Sequence, residues 1–175
     1  MTTFSEFIQT RRSIRRYTSQ QIEDEKIQLI LQSALMSPAS KRSNPWEFIV
    51  VRNREMLIQL SECRSRSAEF LARAPLCIVV IADRTKTDIW QEDASIASIV
   101  MQLQAHDLGL GSCWIQVFNR MKNEELTSEH YIRTLLQIPE NFAVHNLLSI
   151  GYPDEQKTPF DISKLAEQKI HYDKF

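Results

Sequence analysis

Residues 93–118 read Asp-Ala-Ser-Ile-Ala-Ser-Ile-Val-Met-Gln-Leu-Gln-Ala-His-Asp-Leu-Gly-Leu-Gly-Ser-Cys-Trp-Ile-Gln-Val-Phe. Apolar residues recur at helical spacing from Asp93 to Leu108, but they fill two adjoining faces. Ile96, Ile99, Val100 and Leu103 make one, and Ala97, Met101, Ala105 and Leu108 make the other. A helix with so wide an apolar arc is central to a large core or shared with another subunit, and the pattern leaves both open. Gly109 and Gly111 follow at once. One of them must cap the helix in the left-handed region. The other leaves backbone bare of Cβ ahead of the strand-forming run Cys113–Phe118, an opening through which a flat ligand could approach main-chain N–H groups. Gly-x-Gly without a third glycine or a preceding strand is no dinucleotide fingerprint, which excludes a Rossmann reading.

Working outward, Trp46–Val51, Leu76–Ile81 after the Ala74-Pro75 break, and Val144–Gly151 are rich in β-branched and aromatic residues and read as strands. Helical periodicity marks Ile22–Met36, where Ile27, Ile30, Leu31, Ala34 and Leu35 share a face until Pro38 stops it. Glu55–Leu71 and Glu124–Leu136 also read as helices. Strands interspersed with helices in 175 residues predict one α+β or α/β domain.

The 21 Lys and Arg nearly balance 22 Asp and Glu, so no net field draws in nucleic acid or an anionic membrane. No apolar run approaches the roughly 20 residues of a membrane span, and the opening residues lack the pattern of a secretory signal. A soluble, cytoplasmic protein is expected. Cys63, Cys77 and Cys113 are odd in number and lack C-x-x-C spacing, which predicts reduced, buried thiols. The four histidines are scattered, so no metal site is expected.

Two polar segments carry candidate chemistry. Arg11-Arg12-Ser13-Ile14-Arg15-Arg16-Tyr17 gathers four guanidiniums and a hydroxyl, donors suited to a phosphate, although such a basic run also reads as solvated surface or a nucleic-acid patch with Tyr17 stacking on bases. Ser37-Pro38-Ala39-Ser40-Lys41-Arg42-Ser43-Asn44-Pro45-Trp46 is a stiff polar loop, either a plain helix-to-strand connection or a cofactor holder.

Taken in order, four blocks resemble the FMN-dependent nitroreductase family. Arg11–Arg15 is similar to its R-x-S-x-R block, Ser37–Trp46 to its S-P-S-S-x-N-x-x-P-W loop, Leu108–Ile115 to its L-G-L-G-[ST]-C-W-I turn, and Gly151-Tyr152-Pro153 to its closing turn. The resemblance implies an α+β fold in which helices flank a central, mostly antiparallel sheet, in an intertwined homodimer. It implies FMN as cofactor, NADH or NADPH as electron donor, and ping-pong hydride transfer through flavin N5 to nitroaromatic, quinone or similar flat acceptors. Carried over residue by residue, Arg11, Arg12 and Ser13 would grip the phosphate and ribityl, and Arg15 would lie at the pyrimidine edge. Pro38, Ala39, Ser40 and Arg42 would reach the flavin from the partner subunit. Ile115 and Gln116 would run along the ring, and Lys164 would be a second basic phosphate ligand. The wide-faced helix would then be dimer core. Ala39, Arg42 and Gln116 depart from the residues common in the family. No catalytic triad is implied, since the flavin carries the chemistry. The alternative on the same fold is a flavin- or nucleotide-binding regulatory protein without turnover.

Overall fold

The computed structural model describes residues 3–175. Four strands, β1 (Trp46–Val51), β2 (Leu76–Asp83), β3 (Gly111–Gln116) and β4 (Phe142–Gly151), form one sheet in the order β1-β2-β4-β3, and every ladder is antiparallel. The fold is α+β. β2 shows why the sheet is central. Cys77, Val79 and Ile81 point to one core and Ile78, Val80 and Ala82 to the other, so its unbroken apolar run is the period-two pattern of a strand covered on both faces. On one face lie α2 (Asp24–Leu35) and α4 (Trp90–Asp107), contributing Ile27, Ile30, Met101 and Ala105. On the other lie α3 (Arg54–Ser61) and α5 (Ser128–Leu136), contributing Leu57, Leu60 and Ile132.

The wide-faced helix divides its two stripes. Ala97, Met101 and Ala105 are fully buried on the sheet, whereas Ile96 and Ile99 stand 37% and 41% exposed. α4 then ends in a Schellman arrangement: Gly109 has φ 75°, its N–H reaches the His106 carbonyl at 3.0 Å, and the Leu110 N–H reaches Ala105 at 2.8 Å.

Several boundaries differ from the sequence reading. The helix expected over 55–71 stops at Ser61, because beyond Leu60 the apolar stripe gives way to Arg64, Ser65, Arg66 and Ser67. Ser67 takes φ 70°, and a short 3-10 turn follows at Glu69–Arg73. α5 starts at Ser128 rather than Glu124. Asn123 Oδ1 holds the N–H groups of Glu125 and Leu126 in a turn, and Thr127 caps the helix through His130 N–H. β3 ends at Gln116, since Val117 and Phe118 both donate to the His145 carbonyl. Ahead of these elements, α1 (Phe4–Thr10) has no counterpart in the sequence reading, although Thr3 and Glu6 form a capping box.

Among the described residues, Cys63, Cys77 and Cys113 are free and buried, and no three His, Cys, Asp or Glu side chains gather as a metal would need. No helix is long and apolar enough to cross a membrane.

Candidate active site

The arginine segment leaves α1 at Arg11 in extended conformation and runs beside the sheet. Ser13 bridges Ser112 in parallel, and Ile14 N–H donates to the Ser112 carbonyl at 3.0 Å. Ile14 lies so close that a Cβ on Gly111 would stand 2.7 Å from the Ile14 Cβ. This refines one expectation: on the side where a Cβ at Gly111 would project, the bare backbone admits Ile14. Farther along, Tyr17 O–H donates to the Ile14 carbonyl at 2.5 Å and shares a 2.7 Å hydrogen bond with Ser149 Oγ. Thr18 N–H then donates to Tyr152 and Asp154 N–H to Arg16, fixing the segment to the chain beyond β4.

Glu155 completes this attachment, and the motifs did not point to it. Its carboxylate accepts the backbone N–H groups of Arg15 at 2.6 Å and Arg16 at 3.2 Å, and it pairs with Lys157 at 2.6 Å. Burial pulls its pKa upward, but those donors outweigh it and hold the group below the usual carboxylate range. Its position shortly after the Gly151-Tyr152-Pro153 turn is the one available sequence signal.

With the backbone fixed, alternate side chains part company. Around the Cys113 thiol, which burial pushes up, the Arg15 guanidinium, the Ser13 side chain and the Arg11 guanidinium each act to bring the pKa back down. Ser13 itself is held against Ser112 at the start of β3 by the backbone bridge. Arg12 faces elsewhere: it donates to the Thr158 carbonyl and lies 4.7 Å over the Phe160 ring. Phe160 in turn exchanges hydrogen bonds with Gln9, at 3.0 and 2.8 Å. Lys164 is not joined to the arginines; it is exposed and pairs with Asp161 at 3.2 Å.

The polar loop is held by a residue the motifs did not flag. Asp93, buried in the first turn of α4, accepts the Ser40 N–H at 2.9 Å and the Ser43 hydroxyl at 3.2 Å. Lys41, Arg42 and Asn44 all take positive φ, an uncommon run for residues other than glycine. Pro38 and Arg42 face outward and Ala39 and Ser40 are half-buried, and among the described residues no hydrogen bond or ion pair joins this loop to Arg11, Ser13 or Arg15 of the same chain. On β3, the Ile115 side chain is buried in the core, leaving its backbone for any ligand at this sheet edge. Gln116 is engaged on both sides, accepting from Trp114 Nε1 at 2.9 Å and donating to the Phe118 carbonyl at 3.0 Å.

Beneath β3, a bulge in β4 places His145 and Asn146 side by side toward α4. His145 Nε2 shares a 2.9 Å hydrogen bond with Ser95 Oγ, while Trp90 and Trp114 meet the ring edge-on. Burial pushes its pKa down to about 4, so the imidazole is neutral at pH 7.

A profile of the Nitroreductase family matches residues 8–65 and 57–152. The chain belongs to the nitroreductase family. An Archaeoglobus fulgidus protein provisionally named an NADH dehydrogenase/NAD(P)H nitroreductase is 39% identical over 173 residues, covering 96% of each chain. The solved structure of an FMN-dependent nitroreductase from Clostridium difficile R20291 superposes with a TM-score of 0.95 at 50% identity, covering 97% of this chain and 98% of the other. A Vibrio harveyi protein named NADPH-flavin oxidoreductase is 30% identical over 164 residues, covering 86% of this nitroreductase-family chain and 65% of its own length.

Proposed function

We propose that this chain is one nitroreductase-like FMN-binding domain over residues 1–175 and that it works as an FMN-dependent NAD(P)H oxidoreductase. The observation that carries the reading is the segment of Arg11, Ser13 and Arg15, pinned beside the start of β3 by the Ser13–Ser112 bridge and by Glu155, on a chain of the nitroreductase family. The donor set fits FMN: two guanidiniums and a hydroxyl suit a phosphate monoester and ribityl hydroxyls, and Glu155, the nearby carboxylate, is already engaged by backbone donors. When bound, FMN supplies two-electron chemistry between NADH or NADPH and a flat acceptor such as a nitroaromatic or quinone.

The chain's own residues bind and orient. Arg11 and Ser13 would hold the phosphate end, and Arg15 would set a fixed positive charge near the flavin ring. Arg12 holds the C-terminal tail. Ile115 contributes backbone and Gln116 a restrained amide beside the ring. Lys164 reaches a phosphate only by leaving Asp161.

The homodimer completes the site. Ile96 and Ile99 on α4 are exposed, and Phe4, Phe7, Val100 and Leu103 line an adjacent groove of about 880 Å3. Beyond Phe160 the tail exposes Ile162, Leu165, Ile170 and Tyr172, apolar groups suited to covering such a face on a second copy. Pro38, Ala39, Ser40 and Arg42 then meet the partner's flavin, on a loop kept stiff by Asp93. A cytoplasmic setting suits the three unpaired thiols.

The test is a visible absorbance spectrum of the purified protein, recorded anaerobically before and after NADH or NADPH. A flavin spectrum that bleaches supports the reading. A flavin that persists with both nucleotides favours a binding protein without turnover, and failure to take up added FMN overturns the cofactor assignment.

A further inference from the structure

On the β1 and β2 side of the molecule, the segment after Tyr17 and the first turn of α3 flank a second, half-open cavity of about 410 Å3. Arg52, Arg54 and Arg73 line it together with Thr18, Ser19 and Gln21, and no carboxylate is among its lining residues. Arg52 is neutralised by Asp24, at 2.5 Å. Arg54 and Arg73 make no side-chain hydrogen bond or ion pair with any described residue. Between them they carry ten N–H donors, and they line this cleft with Leu57, Ala74 and Pro75. In a chain with a net charge of −1, this concentration of uncompensated charge is local.

We propose that this cavity is an anion site for a phosphorylated small molecule. Planar guanidinium forks match phosphate oxygens two at a time, and flanking hydroxyl and amide groups satisfy the oxygens the forks leave free. The volume falls within the range of small-molecule pockets, and Leu57, Ala74 and Pro75 among the lining residues offer apolar surface to an organic part beyond the phosphate. The site is separate from the flavin cradle, since none of Arg11, Ser13 and Arg15 lines it. Arg54 and Arg73 are exposed, so replacing them leaves the core intact.

The experiment titrates inorganic pyrophosphate into the full-length protein by calorimetry, with and without saturating FMN, and repeats the titration on Arg54→Ala, Arg73→Ala and the double variant. The expected result is saturable, salt-sensitive binding of one pyrophosphate per chain in the presence of FMN, weakened about tenfold by each substitution. Competition by NADP+ but not by NAD+ would identify the natural source as a nucleotide 2′-phosphate, and indifference to both would identify a separate phosphate ester. Absence of saturable binding overturns the proposal, as does binding that the double variant leaves unchanged. The titration without FMN keeps the result readable if the flavin assignment fails, because dependence on Arg54 and Arg73 belongs to this cavity alone.

Discussion

Ile14 fills the space that a side chain at Gly111 would need: its Cβ, Cγ1 and Cγ2 atoms lie 2.7–2.8 Å from the position of a Gly111 Cβ. The contact joins the arginine segment to the strand on which the candidate site is built. Gly111→Ala therefore forces the segment away from β3, at a cost of about 1–3 kcal/mol as in other overpacked sites. Chemical denaturation should register that loss, and FMN titration should show weaker binding, because Ser13 moves with Ile14. Unchanged stability would show that the contact relaxes freely.

Side-chain direction in the arginine segment separates two roles. Arg11→Ala with Ser13→Ala removes two phosphate contacts and should give a folded protein largely without flavin. Arg12→Ala should keep its flavin, since that guanidinium is committed to Thr158 and Phe160. Absorbance of the purified variants, normalised to protein, checks both. Equal flavin loss in the two would place Arg12 in the cradle.

His145 makes stability depend on pH in a defined window. Its folded-state pKa of about 4 lies below the ordinary 6.5, so between these values the unfolded chain binds the proton and the folded chain does not. Stability from this residue is complete above about pH 6.5 and falls as the pH drops toward 4, by about 3 kcal/mol in all. His145→Gln should flatten the slope of unfolding free energy against pH over that interval. Parallel slopes for the two proteins would locate the titration elsewhere.

The exposed stripe of α4 predicts assembly. Ile99→Asp places a charge where a partner's apolar surface is expected and should convert a dimer to monomers in analytical ultracentrifugation, with flavin lost in step. The core-facing Met101 stripe is untouched, so the far-ultraviolet spectrum should hold. A variant that stays dimeric would put the interface on another face.

Local sequence was a good guide wherever an element is decided by its own residues. The β2 run and the spacing of Ile27, Ile30 and Ala34 state their periods openly, and the pair Gly109 and Gly111 marks where a cap must fall. It misled where an element depends on a turn. Helical patterning at 55–71 ran past Ser61, where the apolar stripe ends, and that at 124–136 ran through Thr127, which starts the helix as its N-cap. In the site, the motif blocks contained Arg11, Ser13 and Arg15 but could not tell them from Arg12, because the direction of a side chain on an extended segment is fixed by what lies across from it.

What the sequence by itself determined is the four strands, the helices with strong apolar periodicity, the family-like blocks and the need for a glycine cap after α4, all features in which cause and effect lie within a few residues. Tertiary structure alone decided that Ile14 occupies the Gly111 gap, that Asp93 holds Ser40 and Ser43, that Glu155 fixes Arg15 and Arg16, and that a bulge turns both His145 and Asn146 toward α4. These partners are separated by roughly 50 to 140 residues of chain, or face each other only across a sheet. Their interactions come from close packing and hydrogen-bond satisfaction between surfaces that meet only once the chain has folded.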